Sequence, residues 1–194
     1  NRQPVVEPDS TALRAAVALP AWVTIFTCMF LHGGFWHLLG NMLYLWIFGN
    51  NIEDRLGPVL FLVFYLGTGV VGNLTHTFFD PGFVPLVGAS GAISGVMGAY
   101  VLLCPRTRIT DIVPIGWYPL TVNLPAWAFL GLYFLVQNLY PAAFTAVRHS
   151  GAQQGVAYWA HIGGFVSGAA LIFLFPHRHR PPVAQQGFNP DEDD

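Results

Sequence analysis

Two side chains in this sequence have the chemistry of a nucleophile and its base. Ser90 lies in GASGAISGVMGAY, residues 88–100. Pro85 and Gly88 break any helix ahead of it. Small residues follow at four-residue spacing, Gly91 with Gly95 and Ser94 with Gly98. That spacing puts each pair on one helical face, where a neighbouring backbone can approach closely. Ser90 is expected at a helix start, beside backbone N–H groups without helical partners and at the positive end of the dipole. Such donors suit an oxyanion. A serine that caps the helix or packs as a small residue fits this motif alone equally well.

His161 lies in AHIGGFVSG, residues 160–168. Ala160, Gly164 and Gly168 form a second small face, and His161 sits beside it. A histidine inside an apolar run is expensive and points to function, with a structural inter-helix hydrogen bond as the alternative. An imidazole of ordinary pKa near 6.5 suits general-base work at neutral pH. If the two small faces meet, Ser90 and His161 come within hydrogen-bond reach and form an activated nucleophile.

A third polar set lies in HGGFWHLLGN, residues 32–41. His37 and Asn41 are four apart, hence on one helical face. Both can donate hydrogen bonds, and both are costly in an apolar medium. They read as oxyanion donors or as polar glue between helices. His32 reads as bracing the loop before the helix. No acidic residue sits beside His161 in any apolar run, so a Ser–His dyad is expected rather than a triad. Asp80 is a lesser third candidate. Gln137 and Asn138 read as lining the entry to the site or facing water. His76 has no partner motif, and Glu53, Asp54 and Arg55 read as an ordinary ion pair or helix end.

Elements that hold such residues must be apolar. The chain has 194 residues, 54% hydrophobic and 9% charged, with mean hydropathy +0.50. A soluble domain carries about 25% charged residues. The net charge of −2 and the lack of a basic stripe argue against a nucleic-acid partner. Cys28 and Cys104 lack metal or redox spacing. Five runs suit bilayer-spanning helices of about 20 residues: roughly 33–50, 58–78, 88–104, 124–141 and 156–175. Aromatic residues at their ends fit interfacial belts. Residues 17–31 read as a re-entrant or interfacial loop, with a further span as the alternative. The expected fold is an all-α membrane protein, a polytopic helical bundle.

Three regions follow. Residues 1–31 form an extracytoplasmic segment partly in the outer leaflet, 32–176 the membrane domain, and 177–194 a disordered tail rich in Pro and charge. Arg55, Arg106, Arg108, Arg178 and Arg180 would share one side with the C-terminus, and the positive-inside rule makes that side cytoplasmic. The N-terminus is then outside, which implies one further upstream helix and six in a parent chain.

Taken jointly and in order, HGGFWHLLGN, GNNIEDRLG (49–57), GASGA (88–92) and AHIGGFVSG resemble the rhomboid family of intramembrane serine proteases, bacterial type. The resemblance covers roughly 20–175. It implies Ser90 as nucleophile, His161 as base, and His37, Asn41 and the Ser90 backbone N–H as the oxyanion site. Gly88, Gly91, Gly164 and Gly168 would give structural support. It further implies cleavage of transmembrane segments of other proteins within the lipid bilayer, near its outer face, by a multi-pass protein of a bacterial inner membrane. No metal or other cofactor is implied. One departure concerns the base. Some members stack an aromatic, four residues after the nucleophile, on the histidine. Here that position is Ser94, so another group must hold the imidazole.

Other classes fit less of the pattern. A non-catalytic relative that binds transmembrane client helices would use the same packing, but inactive relatives typically lack the Ser or the His. A channel or transporter with broken helices would account for the break before Ser90, but no inverted repeat is evident. No HExxH metalloprotease motif is present. The sequence leaves the oligomeric state and the natural substrate open.

Overall fold

A computed structural model describes residues 20–80, 86–115, 118–148 and 156–177. Most of the expected N-terminal segment, 1–19, and the tail from 178 lie outside the described residues, as does Pro85.

The first described helix, α1 (Ala21–Thr27), starts directly after Pro20 and tightens into a 3-10 turn at Cys28–Phe30. The chain then bends by 89° into α2, Phe35–Leu56. This bend gives α1 and α2 together the form of a re-entrant loop or of one broken span, whereas the sequence posed a re-entrant or interfacial loop or a separate further span over 17–31. The rod of α2 contains one π-helical turn, Leu45–Gly49. It continues through Asn50–Leu56 and so runs past the expected end near residue 50.

Gly57, with φ +81°, ends α2 in a conformation that costs glycine nothing. Pro58 then opens α3, Pro58–Phe79, where its missing N–H is harmless. At 1.5 Å per residue its 22 residues reach about 33 Å, enough to cross a hydrocarbon layer of about 30 Å. By length and composition, α3 is the one described helix that passes alone as a span, and α1 with α2 passes as a bent pair. The next helix, α4 (Ser90–Leu103), has 14 residues and spans only about 21 Å. The last, α6 (Tyr158–Leu171, extended by a 3-10 turn Ile172–Leu174), is similarly short.

Between α4 and α6 the chain departs from the all-helical expectation. Arg108–Ile115 (β1) and Tyr118–Pro125 (β2) form an antiparallel hairpin in which Arg108 pairs with Pro125 and Ile115 with Tyr118. Pro114 and Pro119 face each other in this register. Proline disfavours central strands, but a two-stranded sheet has only edges. The α5 rod follows as Ala126–Phe134, a π-helical turn Leu135–Leu139, and Tyr140–Arg148.

Helix α4 is central. Every residue from Gly91 to Tyr100 is buried, as expected of a helix that is apolar and small all round. Below its first turns, Phe48, Ile52, Phe64, Val96, Met97, Tyr100, Leu130 and Ile172 close a core shared by α2, α3, α4, α5 and α6. The outer faces are equally apolar. Trp46, Val59, Leu62, Trp127, Leu132 and Val166 are exposed. Large exposed apolar area of this kind fits a hydrocarbon solvent better than water.

Candidate active site

Glycines set the spacing of α4, α3 and α6. A Cβ added at Gly164 would collide with the carbonyl oxygen of Gly91, and one at Gly168 with that of Gly95. At Gly98 it would strike the Phe165 carbonyl oxygen. The two small faces read from the sequence therefore meet, backbone against backbone. On the third side, a Cβ at Gly72 of α3 would lie 2.6 Å from the Ala160 carbonyl oxygen.

This register carries His161 over the first turn of α4. The Ser90 Oγ lies 2.7 Å from His161 Nε2. The other ring nitrogen, Nδ1, lies 2.8 Å from Asn138 Oδ1. An amide oxygen can only accept, so Nδ1 carries the proton and donates it. In the neutral ring Nε2 is then the acceptor, and the Ser90 hydroxyl donates to it. The tautomer is the one a general base requires.

Ser90 is the first residue of α4, and Gly88 precedes it with φ +120°. The first helical hydrogen bond of this end runs from Ile93 N–H to Ala89 C=O, at 3.0 Å. The N–H groups of the first turn have no acceptor within the helix. Gly88 N–H donates to the Cys28 carbonyl at 2.9 Å, which ties the nucleophile loop to the end of α1. Asn73 of α3 fixes that end in turn. Its Nδ2 donates to Ile25 C=O at 2.9 Å and to Cys28 Sγ at 3.2 Å.

His37 and Asn41 converge on the same place. A Cβ at Gly88 would lie 2.9 Å from His37 Cε1, 3.0 Å from His37 Nε2 and 3.7 Å from Asn41 Nδ2. The Gly33 backbone N–H donates to His37 Nδ1 at 3.3 Å. Nδ1 is thus the acceptor, and in the neutral ring Nε2 holds the proton on the side facing Gly88. Asn41 is 7% exposed, and its Nδ2 is buried with no hydrogen-bond partner among the described residues. A buried donor left unpaired costs about 1–3 kcal/mol, so its presence calls for a reason. His32, read as a loop brace, meets the His37 ring edge-on, with centroids 5.4 Å apart.

Ser90, His161, His37, Asn41, Gly88, Gly91 and Gly164 therefore gather at one end of α4, and Gly168 lies one helical turn deeper. Asp80 does not join them. It is exposed at the end of α3, its backbone N–H on the His76 carbonyl at 2.8 Å, and both His161 ring nitrogens are taken by Ser90 and Asn138. The reading of Asn138 needs correction. It is 2% exposed and neither lines an entry nor faces water. Its neighbour Gln137 is exposed. The signal was faint, an amide in an apolar run without a motif.

A helical bundle with an apolar exterior and a polar cluster at the buried end of a short central helix defines a class of integral membrane protein. Within it, residues 20–178 match the Rhomboid domain, and this chain belongs to the rhomboid family. It is 33% identical over 155 residues to the rhomboid protease GluP of Bacillus subtilis, covering 80% of this chain and 27% of that protein. It is 32% identical over 198 residues to RHOMBOID-like protein 1 of Arabidopsis thaliana, covering 98% and 46%. With the mitochondrial Rhomboid protein 1 of Saccharomyces cerevisiae it shares 32% identity over 151 residues, covering 75% and 40%. The chain spans less than half the length of each of these relatives.

Proposed function

We propose that this chain is an intramembrane serine endopeptidase that cleaves transmembrane segments of other membrane proteins. The observation that carries the reading is the 2.7 Å contact of Ser90 Oγ with His161 Nε2, within the span of a nucleophile and its base. Ser90 Oγ attacks the scissile carbonyl carbon as His161 Nε2 takes its proton. The carbonyl oxygen becomes an oxyanion, received by His37 Nε2–H, Asn41 Nδ2–H and the Ser90 backbone N–H. The unpaired Asn41 amide supports this role, because a preorganised donor is of use only when charge develops opposite it. Collapse of the intermediate expels the amine, protonated by His161, and leaves an acyl-Ser90. Water, deprotonated by His161, then attacks the acyl carbon, and collapse breaks its bond to Ser90 Oγ, which takes the proton back from His161 as the acid leaves.

The five spans and the cytoplasmic C-terminus belong to the same proposal. With α3 crossing the bilayer, the shorter α4 would hold its first turn, with Ser90, below the membrane surface. Arg55, Arg106 and Arg108 would then lie on the cytoplasmic side.

The test is cleavage of a transmembrane reporter by the full chain in liposomes, with fluorophosphonate labelling in parallel. Wild type should cleave and label at Ser90, and Ser90→Ala should do neither while keeping its thermal midpoint. Full cleavage by Ser90→Ala overturns the reading. A folded wild-type chain that neither labels nor cleaves points to a binder of client helices instead.

A further inference from the structure

We propose that Asn138 is the positioning residue of this site, holding the His161 ring in the Nδ1–H tautomer so that Nε2 faces Ser90 as a base. The inference rests on the proposed hydrolytic reading and adds a residue that the motifs do not contain. Three observations carry it.

The first is the contact itself. Asn138 Oδ1 lies 2.8 Å from Nδ1, on the opposite side of the ring from Ser90 Oγ. Serine hydroxyl, imidazole and amide thus form one hydrogen-bonded chain across three helices, α4, α6 and α5, and the amide oxygen permits only one proton arrangement. The second is burial. From Gly131 to Tyr140, Asn138 is the one buried residue, at 2% exposure. A side chain so placed must be paired, and Nδ1–H of His161 pairs it. The third is the backbone. Asn138 lies within the π-helical turn Leu135–Leu139, and such turns concentrate at functional sites. Leu130, fully buried, and Asn138 are eight residues apart. In a regular helix of 3.6 residues per turn, eight residues overshoot two turns by roughly 80°. A widened turn takes about one extra residue and cancels that overshoot. The π turn therefore brings Asn138 to the same inward side as Leu130.

The need for such a residue is local. Position 94, one turn after the nucleophile, is a serine that is 4% exposed, with no ring to stack on the imidazole. The imidazole here is held end-on by an amide rather than flat against an aromatic. A neutral amide orients the ring but supplies no full charge to the imidazolium. Its loss should cost less than the roughly 10⁴-fold lost when a soluble serine protease has its anionic orienter neutralised. About 10- to 100-fold is expected, the range of an orienting outer contact.

The experiment compares wild type, Asn138→Leu and Asn138→Asp in the full chain. Fluorophosphonate endpoint labelling counts competent sites, so that kcat is expressed per site. Nitrogen-15 NMR of labelled histidine reads the His161 tautomer. Expected are an Nδ1–H ring in wild type, a kcat per site lowered about 10- to 100-fold in Asn138→Leu with little change in KM, and substantial recovery in Asn138→Asp, whose carboxylate accepts the same bond. A merely structural asparagine would lower the number of labelled sites and leave kcat per site unchanged, and that result overturns the proposal. So does an Nε2–H ring in wild type, a reading that requires no variant to fold. Cleavage by Ser90→Ala would instead overturn the hydrolytic reading, and leave the tautomer measurement to decide the Asn138 contact by itself.

Discussion

Gly164 lies directly against the carbonyl oxygen of Gly91, and no side chain fits between them. Because His161 precedes Gly164 by less than a turn and Ser90 adjoins Gly91, this backbone contact sets the distance between nucleophile and base. Gly164→Ala should force α6 from α4. Overpacking of this kind costs about 1–3 kcal/mol, and labelling of Ser90 should fall along with the thermal midpoint. Gly131→Ala is the control. Nothing lies within 4 Å of a Cβ there, and alanine in place of a helical glycine stabilises by roughly 0.5–1 kcal/mol. Equal effects at the two positions would show that helix spacing does not govern the site.

Asn41→Ala should separate activity from stability. The oxyanion role predicts a loss of up to about 10²–10³ in kcat, less where His37 and the Ser90 N–H compensate. The same change removes a buried donor without a partner, a group that costs the folded state about 1–3 kcal/mol. The thermal midpoint should therefore hold or rise while cleavage falls. Parallel losses of both would mean that Asn41 serves the fold, as polar glue between helices.

Gly88→Ala should act through His37. The backbone there has φ +120°, a region in which a side chain strains the chain, and the new methyl would press on the His37 ring. A stability loss of about 1–2 kcal/mol is expected from the backbone alone. Shortening the ring in Gly88→Ala/His37→Ala should return part of the stability lost in Gly88→Ala, but no activity. A double variant whose losses are strictly additive would rule out the contact.

The parts of this molecule that follow from local pattern could be read from sequence. The Gly91/Gly95 and Gly164/Gly168 spacing announced a close helix pair because four-residue repeats leave a flat face, and those faces do meet. His37 and Asn41 share a helical side for the same reason. What escaped depends on departures from regular period. Asn138 faces His161 only because the helix widens by one residue at Leu135–Leu139, and no residue type in LVQNL signals a π turn. The β1–β2 hairpin was hidden by Pro114, Pro119 and Pro125, residues that usually argue against strands. Cys28 read as a free apolar side chain. Its side chain in fact pairs with Asn73, and its backbone carbonyl, which no side-chain pattern encodes, receives Gly88 N–H.

Gly88 N–H donates to Cys28 C=O, and Asn73, 4% exposed, holds the Cys28 turn through Ile25 C=O and Cys28 Sγ. Asn73 is far from the reacting atoms in sequence, yet it is two hydrogen bonds from the residue that leads into Ser90. Asn73→Ala removes both anchors of α1 on α3 at once. The Ile25 carbonyl loses that donor and keeps the weaker Cys28 Sγ–H at 3.3 Å, and loss of an ordinary hydrogen bond costs about 0.5–1.5 kcal/mol. The cost falls on α1 and its turn rather than on the α3–α4–α6 packing, whose glycine contacts are untouched. Local opening should therefore become easier before global unfolding does. Hydrogen exchange of the Gly88 amide should accelerate in Asn73→Ala by roughly 10-fold for each 1.4 kcal/mol lost, with exchange in the middle of α4 unchanged. Ser90 labelling should slow in step, because the loop that presents it is less often in register. An unchanged Gly88 exchange rate in the variant would show that α1 does not brace the nucleophile loop.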